Sequence, residues 1–340
     1  MPGNATFRHS NTSILSVTGL PAPEVRTSAE FDERIMDTLR RNRLVPGVLS
    51  RLVGVKERRW WPQDVHFTEA AAEAGRRAMV DAGIRPEQVG LMVNTSVSRD
   101  HLEPSTAVRV HDALGMPRSA MNFDVTNACL GFVNGMQIAA AMIDSGQIEY
   151  ALVVNAETSR ATQERTLARL EREDATADDV LQQLATLTLG SGAAAMVLGR
   201  TDQHPEGHRF VGGVSRAATE HHELCVGDFD RMTTDSVALQ DAGIALSEAL
   251  WADAREEFDW QDMDRYVIHQ VSTVHTEQVC DRLGLDGAKV PRTFPRFGNL
   301  GPAAVPFTLA MEAPQLERGD RLLLMGIGSG LNACCAEIEW

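Results

Sequence analysis

The stretch NACLGFVNGMQIAAAMIDSGQ, residues 127 to 147, sets Cys129 at the start of what reads as a buried helix. Gly131, Gly135, Ala139, Ala140 and Ala141 leave little bulk along part of that helix, so it can pack closely inside a core. A thiol in the first turn meets unsatisfied backbone N–H groups and the positive end of the helix dipole, which predicts a lowered pKa and a nucleophile active at neutral pH. The competing reading of this stretch alone is an inert buried cysteine. Three other places supply what a nucleophilic cysteine would use. His269 follows the apolar run YVI and projects from a strand end. Asn299, in RFGNLGPAAVPF, lies between Gly298 and Gly301 in a turn that starts a helix. GIGSGLN, residues 326 to 332, offers backbone N–H groups suited to a developing oxyanion. Each is ordinary turn or strand-end chemistry when taken singly; together, at corresponding strand ends, they point to a site.

The elements that would position them alternate. Short apolar, β-rich runs at 13–23, 89–98, 150–159, 192–200, 265–272 and 320–330 are separated by helical segments at 67–83, 105–114, 130–145, 272–284 and 303–313. Strands with so little polar interleaving predict an α/β protein built in layers around a mostly buried sheet. The order of parts also repeats. Strand, helix, a turn containing NACLG, apolar helix and strand occupy 89–159; strand, helix, a turn containing GNLGP, apolar helix and strand occupy 265–330. Such a repeat predicts two halves, 1–200 and 201–340, packed about a pseudo-twofold axis, with a site where corresponding turns meet. The charged helical segment 161–189, without Gly or Pro, interrupts the first half and is an insertion, either a cap over a channel or a solvated excursion.

Composition excludes several classes. A net charge of −15 and no basic block longer than KERR argue against a nucleic-acid binder. The polar start MPGNATFRHSNTS and the absence of an apolar run near 18 residues predict a cytoplasmic protein without a membrane span. Five scattered cysteines, without a CxxC pair, suggest neither a disulfide framework nor a metal site. The adjacent His221 and His222 with Cys225 make a poor ligand set, because neighbouring side chains point apart and no second pair accompanies them.

DVTNACLGFVNGM, VIHQVS, FGNLGPAAVP and LLLMGIGSGLN resemble the Cys, His and Asn motifs and the terminal glycine turn of the thiolase superfamily, in its β-ketoacyl-ACP synthase III branch. LMVNTSVSRDHLEPSTA and the 161–189 insertion resemble the OleA-type enzymes of that branch, which start long-chain olefin biosynthesis, and the likeness covers nearly the whole chain. The resemblance implies a five-layered αβαβα thiolase fold and a homodimer. It implies that Cys129 accepts an acyl group from acyl-CoA and that His269 and Asn299 polarise the second thioester. The N–H groups of Cys129 and Ser329 would hold the oxyanion, and Glu103, reaching the partner subunit's site, would remove the α-proton. Coenzyme A thioesters are then substrates, no metal or redox cofactor is needed, and downstream olefin enzymes are possible partners. In VKERRWWP, Arg58 or Arg59 would meet CoA phosphates and Trp60 or Trp61 its adenine, unless that cluster only packs. A decarboxylating synthase III, a type III polyketide synthase and a catalytically silent scaffold are the alternatives.

Overall fold

The structure, a computed structural model, describes residues 6–51 and 53–340; the first five residues of the polar N-terminal stretch lie outside this range. Ten strands form the main sheet: β1 (Thr6–Arg8), β2 (Thr12–Pro21), β3 (Val89–Asn94), β4 (Met121–Asp124), β5 (Tyr150–Glu157), β6 (Gly192–Arg200), β7 (His208–Ala217), β8 (Arg265–Ile268), β9 (Arg321–Gly328) and β10 (Asn332–Glu339). The helices that matter here are α1 (Phe67–Asp81), α2 (Thr106–Ala113), α3 (Gly131–Asp144), α4 (Arg160–Leu170), α5 (Ala177–Thr188), α6 (Ser236–Ala254), α7 (Thr273–Leu283) and α8 (Ala304–Glu312).

The strand order is β8-β9-β10-β7-β2-β6-β5-β3-β4, with β1 beside β7. At the seam only Ser13 and Ile14 of β2 pair with β7, so two sheets are joined at one corner. Outward from that seam the pattern repeats. β2, β6, β5 and β3 pair antiparallel, antiparallel, then parallel, and β7, β10, β9 and β8 do the same. The duplicated element order is therefore written into the sheet itself, and β4, parallel to β3 at one edge, is the unmatched strand.

Side-chain alternation builds the layers. Leu91, Val93, Val153 and Met196 of one sheet share a core with Leu322, Leu324 and Ala336 of the other, and α3 and α8 lie between them through Phe132, Met136, Val305 and Leu309. The neighbouring residues Met92, Leu152, Val154 and Val197 face the opposite way, onto α1 and α2. Leu323, Met325, Ala333 and Cys335 likewise face α6 and α7. Helices, sheet, helices, sheet, helices is the five-layered arrangement that two buried sheets require, since strands such as β5, β6 and β9 are apolar on both faces.

The insertion is no solvated excursion. Leu167, Leu170, Val180 and Leu187 of α4 and α5 pack with Phe31, Leu39, Leu49 and Trp60 in a separate cluster against the N-terminal helices. Thr176 and Asp179 close a reciprocal capping box that starts α5.

Candidate active site

Cys129 stands two residues ahead of Gly131, where α3 begins, and the preceding Ala128 takes a left-handed φ of 44°. An amide ladder fixes this turn to the other half of the molecule. Asn332, at the start of β10, donates to Asn127 Oδ1 at 3.1 Å; Asn127 donates to Asn134 Oδ1 at 2.9 Å, and Asn134 to Gln137 Oε1 at 3.0 Å. β9 presses against the same turn. A Cβ at Gly328 would lie 2.6 Å from the Asn127 carbonyl oxygen, so only glycine allows this approach, and one at Gly326 would press on the end of the Leu130 side chain.

β9 also positions His269 and Ser329. The His269 N–H donates to the Met325 carbonyl at 2.7 Å, which holds the histidine just past the end of β8. Ser329 follows Gly328 in the tight turn between β9 and β10, half-buried. Asn299 is anchored by the end of the insertion: its N–H donates to the Thr188 carbonyl at 2.9 Å, and its carbonyl accepts from Gly190 at 2.8 Å. Its side-chain oxygen accepts from the Gly301 N–H at 2.8 Å, which leaves the amide NH2 as its donor toward a ligand. Gly301 in turn lies against Glu157, whose Cγ would be 3.5 Å from a Cβ placed there.

Glu157 was not singled out from sequence, although an acidic residue closing the apolar strand YALVVNAE is the signal that marks it. Its buried carboxylate accepts from the N–H groups of Val97 (2.8 Å) and Ser98 (3.0 Å), from the Ser98 hydroxyl (2.6 Å) and from Asn155 (3.3 Å). It thereby fixes the root of the loop that carries Glu103. Burial raises its pKa and those hydrogen bonds oppose the rise.

The electrostatics correct one expectation. Burial, with Glu157 and Cys225 nearby, pushes the Cys129 thiol up to about 12 instead of down. Cys129, two residues ahead of the start of α3, is therefore a thiol at neutral pH. Burial, with His275 close by, brings His269 down to about 3, which makes its imidazole neutral. The rate of Cys129 alkylation by iodoacetamide is accordingly expected to rise about tenfold per pH unit through pH 9 without levelling off. A plateau below pH 8 would instead reveal a standing thiolate.

The same burial links histidine protonation to stability. His269 and His275 take up protons at about 3 and about 4 in the folded protein. In the unfolded chain both do so near 6.5. The unfolded state therefore binds more protons as pH falls below 6.5, and stability is complete above that value and lost below it. At roughly 1.4 kcal/mol per pH unit per group, denaturant unfolding at pH 5 is expected to give about 4 kcal/mol less than at pH 7. A flat profile would show that both rings charge in place.

Glu103 is exposed on the loop between β3 and α2, and Pro104 precedes the Ser105 cap instead of opening the helix. The helix start is held by Asp124 of the edge strand, which accepts from the N–H groups of Thr106 (2.9 Å) and Ala107 (2.8 Å). The expected CoA contact of Arg58 is corrected. Arg58 is wholly buried, donating to Ser28 Oγ (3.0 Å) and the Leu187 carbonyl (2.9 Å) with its guanidinium over Phe31, so no phosphate reaches it. Arg59 is tied to Glu57 at 2.7 Å and lies over the Phe297 ring. Trp60 and Trp61 are buried and donate to Gln163 and to the Glu157 carbonyl, so neither is free to stack on adenine. Among the described residues, no group of three His, Cys, Asp or Glu side chains is placed to hold a metal ion.

Two duplicated sheets around a central helix pair, with Cys, His and Asn motifs at their strand ends, define a thiolase-fold protein. Residues 123–216 match the 3-oxoacyl-[acyl-carrier-protein (ACP)] synthase III family, and residues 254–340 match the model for the C-terminal part of that synthase. An acyl-CoA:acyl-CoA alkyltransferase of Xanthomonas campestris is 46% identical over 97% of this chain and 99% of its own length. One from Shewanella oneidensis is 33% identical over 98% of this chain and 100% of its own. The crystal structure of a cysteine-to-serine variant of Xanthomonas campestris OleA, with bound lauric acid and lauroyl-CoA, superposes with a TM-score of 0.96 at 45% identity, covering 98% of this chain and 100% of that one. The chain belongs to the synthase III-like branch of the thiolase superfamily and, within it, to the family of the acyl-CoA:acyl-CoA alkyltransferases.

Proposed function

We propose that this protein joins two long-chain fatty acyl-CoAs in a non-decarboxylative Claisen condensation that yields a 2-alkyl-3-oxo acid, the first step of long-chain olefin biosynthesis. The observation that carries this reading is the full-length likeness to acyl-CoA:acyl-CoA alkyltransferases; it is supported by the contacts of β9 with the turn before α3 and with His269.

In this mechanism Cys129 Sγ attacks the first thioester, and its proton leaves on the CoA sulfur, so acylation consumes no external base. That balance suits a site whose cysteine rests as a thiol and whose histidine is neutral. His269 and the Asn299 amide donate to the second thioester's oxygen and stabilise its enolate. Glu103 of the partner subunit takes the α-proton, because an ordinary acyl-CoA loses no CO2 and needs a positioned carboxylate. The enolate carbon attacks the acyl-cysteine carbonyl, and the N–H groups of Cys129 and Ser329 hold the oxyanion. Collapse breaks the C–S bond, the departing thiolate recovers as its proton the one that Glu103 took from the α-carbon, and water then cleaves the remaining thioester, releasing the 3-oxo acid and CoA. The chemistry calls for neither metal nor redox cofactor.

The homodimer in this reading is supported by the edge strand β4 and by exposed Val97, Leu102, Val108 and Met121 around the Glu103 loop. The reading places the enzyme in the cytoplasm, where downstream olefin enzymes would take up its product; no helix among the described residues is long and apolar enough to cross a membrane. The test is to incubate the protein with myristoyl-CoA alone, follow free CoA and identify products by mass spectrometry. A two-chain β-keto acid, or the ketone left by its loss of CO2, supports the reading. Product that forms only after malonyl-ACP is added overturns it in favour of a decarboxylating synthase.

A further inference from the structure

His269 and His275 share a cavity behind the strand ends. It holds about 30 Å³ and is lined by Ser247 of α6, His275 of α7, Met325 and Ile327 of β9, and Ile268 and His269 at the end of β8. Both imidazoles are buried, and Nδ1 of each lacks a partner among the described residues. Buried polar atoms are rarely left so, and a space of this size with polar groups on its walls holds one or two water molecules. Burial keeps both rings neutral, so each carries one N–H and one bare nitrogen. His275 is the third residue of α7, where the positive end of the helix further disfavours a charged ring.

We propose that a water molecule in this cavity accepts a hydrogen bond from His275 Nδ1–H and donates one to His269 Nδ1, which holds His269 in the tautomer whose Nε2–H faces the substrate. Ser247 completes the site. Its hydroxyl donates to the Gly243 carbonyl at 2.8 Å, leaving an oxygen lone pair for the second proton of that water. His275 is thus a positioning residue: it touches no substrate and acts through the proton position on His269. The inference rests on the proposed condensation, in which His269 must donate from Nε2. With no donor behind it, the ring proton would divide between the two nitrogens, and only one form polarises the thioester.

The test is 15N NMR of the intact protein labelled at histidine, with His269 assigned by its loss in His269→Ala. The wild-type spectrum should show Nε2 protonated and Nδ1 bare on His269; the opposite assignment overturns the proposal without any His275 variant. In His275→Leu the two nitrogens should move toward an averaged mixture, and the condensation kcat should fall roughly tenfold to a hundredfold. The burst of CoA from Cys129 acylation and the KM should hold. His275→Asn, whose amide donates again, should recover most of the rate. An unchanged His269 tautomer in His275→Leu, or a lost rate without a tautomer change, overturns the proposal. If no condensation occurs at all, the tautomer measurements still decide this inference separately from the reaction.

Discussion

Cys129→Ala is expected to abolish acyl-enzyme formation, with CoA release from myristoyl-CoA falling at least about 10⁴-fold, the scale of deleting a nucleophile that works in concert with its neighbours. The fold should survive. Cys129 is half-buried at a turn whose shape is set by the Asn127 amide ladder and the glycines of β9, and the change removes a single sulfur atom. A stability loss of no more than about 1 kcal/mol is expected from a deletion of that size. Intact mass spectrometry after exposure to myristoyl-CoA reads the outcome directly: the wild type gains one acyl group and the variant none. Acylation persisting in the variant would remove Cys129 from the nucleophile's role. Cys225 would then be the group to examine, since it is the other half-buried cysteine and lies near Cys129.

The thiol's high pKa bears on how such a site can work at all. A thiolate held in advance would lie near the buried Glu157, and negative charge on either group disfavours it on the other. Keeping sulfur and imidazole neutral until substrate arrives avoids that cost. In the proposed mechanism charge then develops only in the transition state, on the oxyanion assigned to the N–H groups of Cys129 and Ser329.

Local signals carried much of this architecture. The strands around the site have apolar runs on both faces, and their bounds in the structure differ from the sequence reading by a few residues at most, as with 265–272 against Arg265–Ile268. The repeat of strand, helix, turn, helix and strand gave the two halves because each copy holds the same parts in the same order. Other elements were silent for physical reasons. β7 reads HRFVGGVSRA and has half-exposed and exposed positions mixed with buried ones, so no clear period marks it. α6 buries one face, through Gly243, Leu246, Leu250 and Ala254, but carries apolar Ala245 and Ala252 on its exposed side, so its sequence shows no clear apolar stripe. Arg58 was misplaced because ERRW alternates as a strand does, and alternation cannot tell which face is buried; pairing with Glu24–Thr27 turned Arg58 and Trp60 inward. Glu157 and His275 were invisible as site residues because their importance comes from what packs against them, 60 residues away in the case of Val97 and Glu157.

Glu103→Ala separates the two half-reactions. Acylation of Cys129 should proceed at the wild-type rate, since that step passes its proton to the CoA sulfur, while condensation should fall by roughly 10²- to 10⁴-fold, the usual worth of a general base. The exposed position of Glu103, on a loop rooted at Glu157 and bordered by exposed Leu102 and Val108, allows a stronger test of where it acts. Glu103→Ala and Cys129→Ala chains, each nearly inactive alone, are mixed and allowed to exchange subunits. If Glu103 serves the partner subunit's cysteine, each mixed dimer has one complete site, and equal mixing returns about a quarter of the wild-type rate. If it serves its own chain, no mixed dimer holds a complete site and activity stays at the level of the parents. Full condensation by Glu103→Ala alone would dismiss the carboxylate as base. The α-proton would then need another acceptor, and Glu157 is already occupied by four hydrogen bonds whose loss would free the very loop that Glu103 rides on.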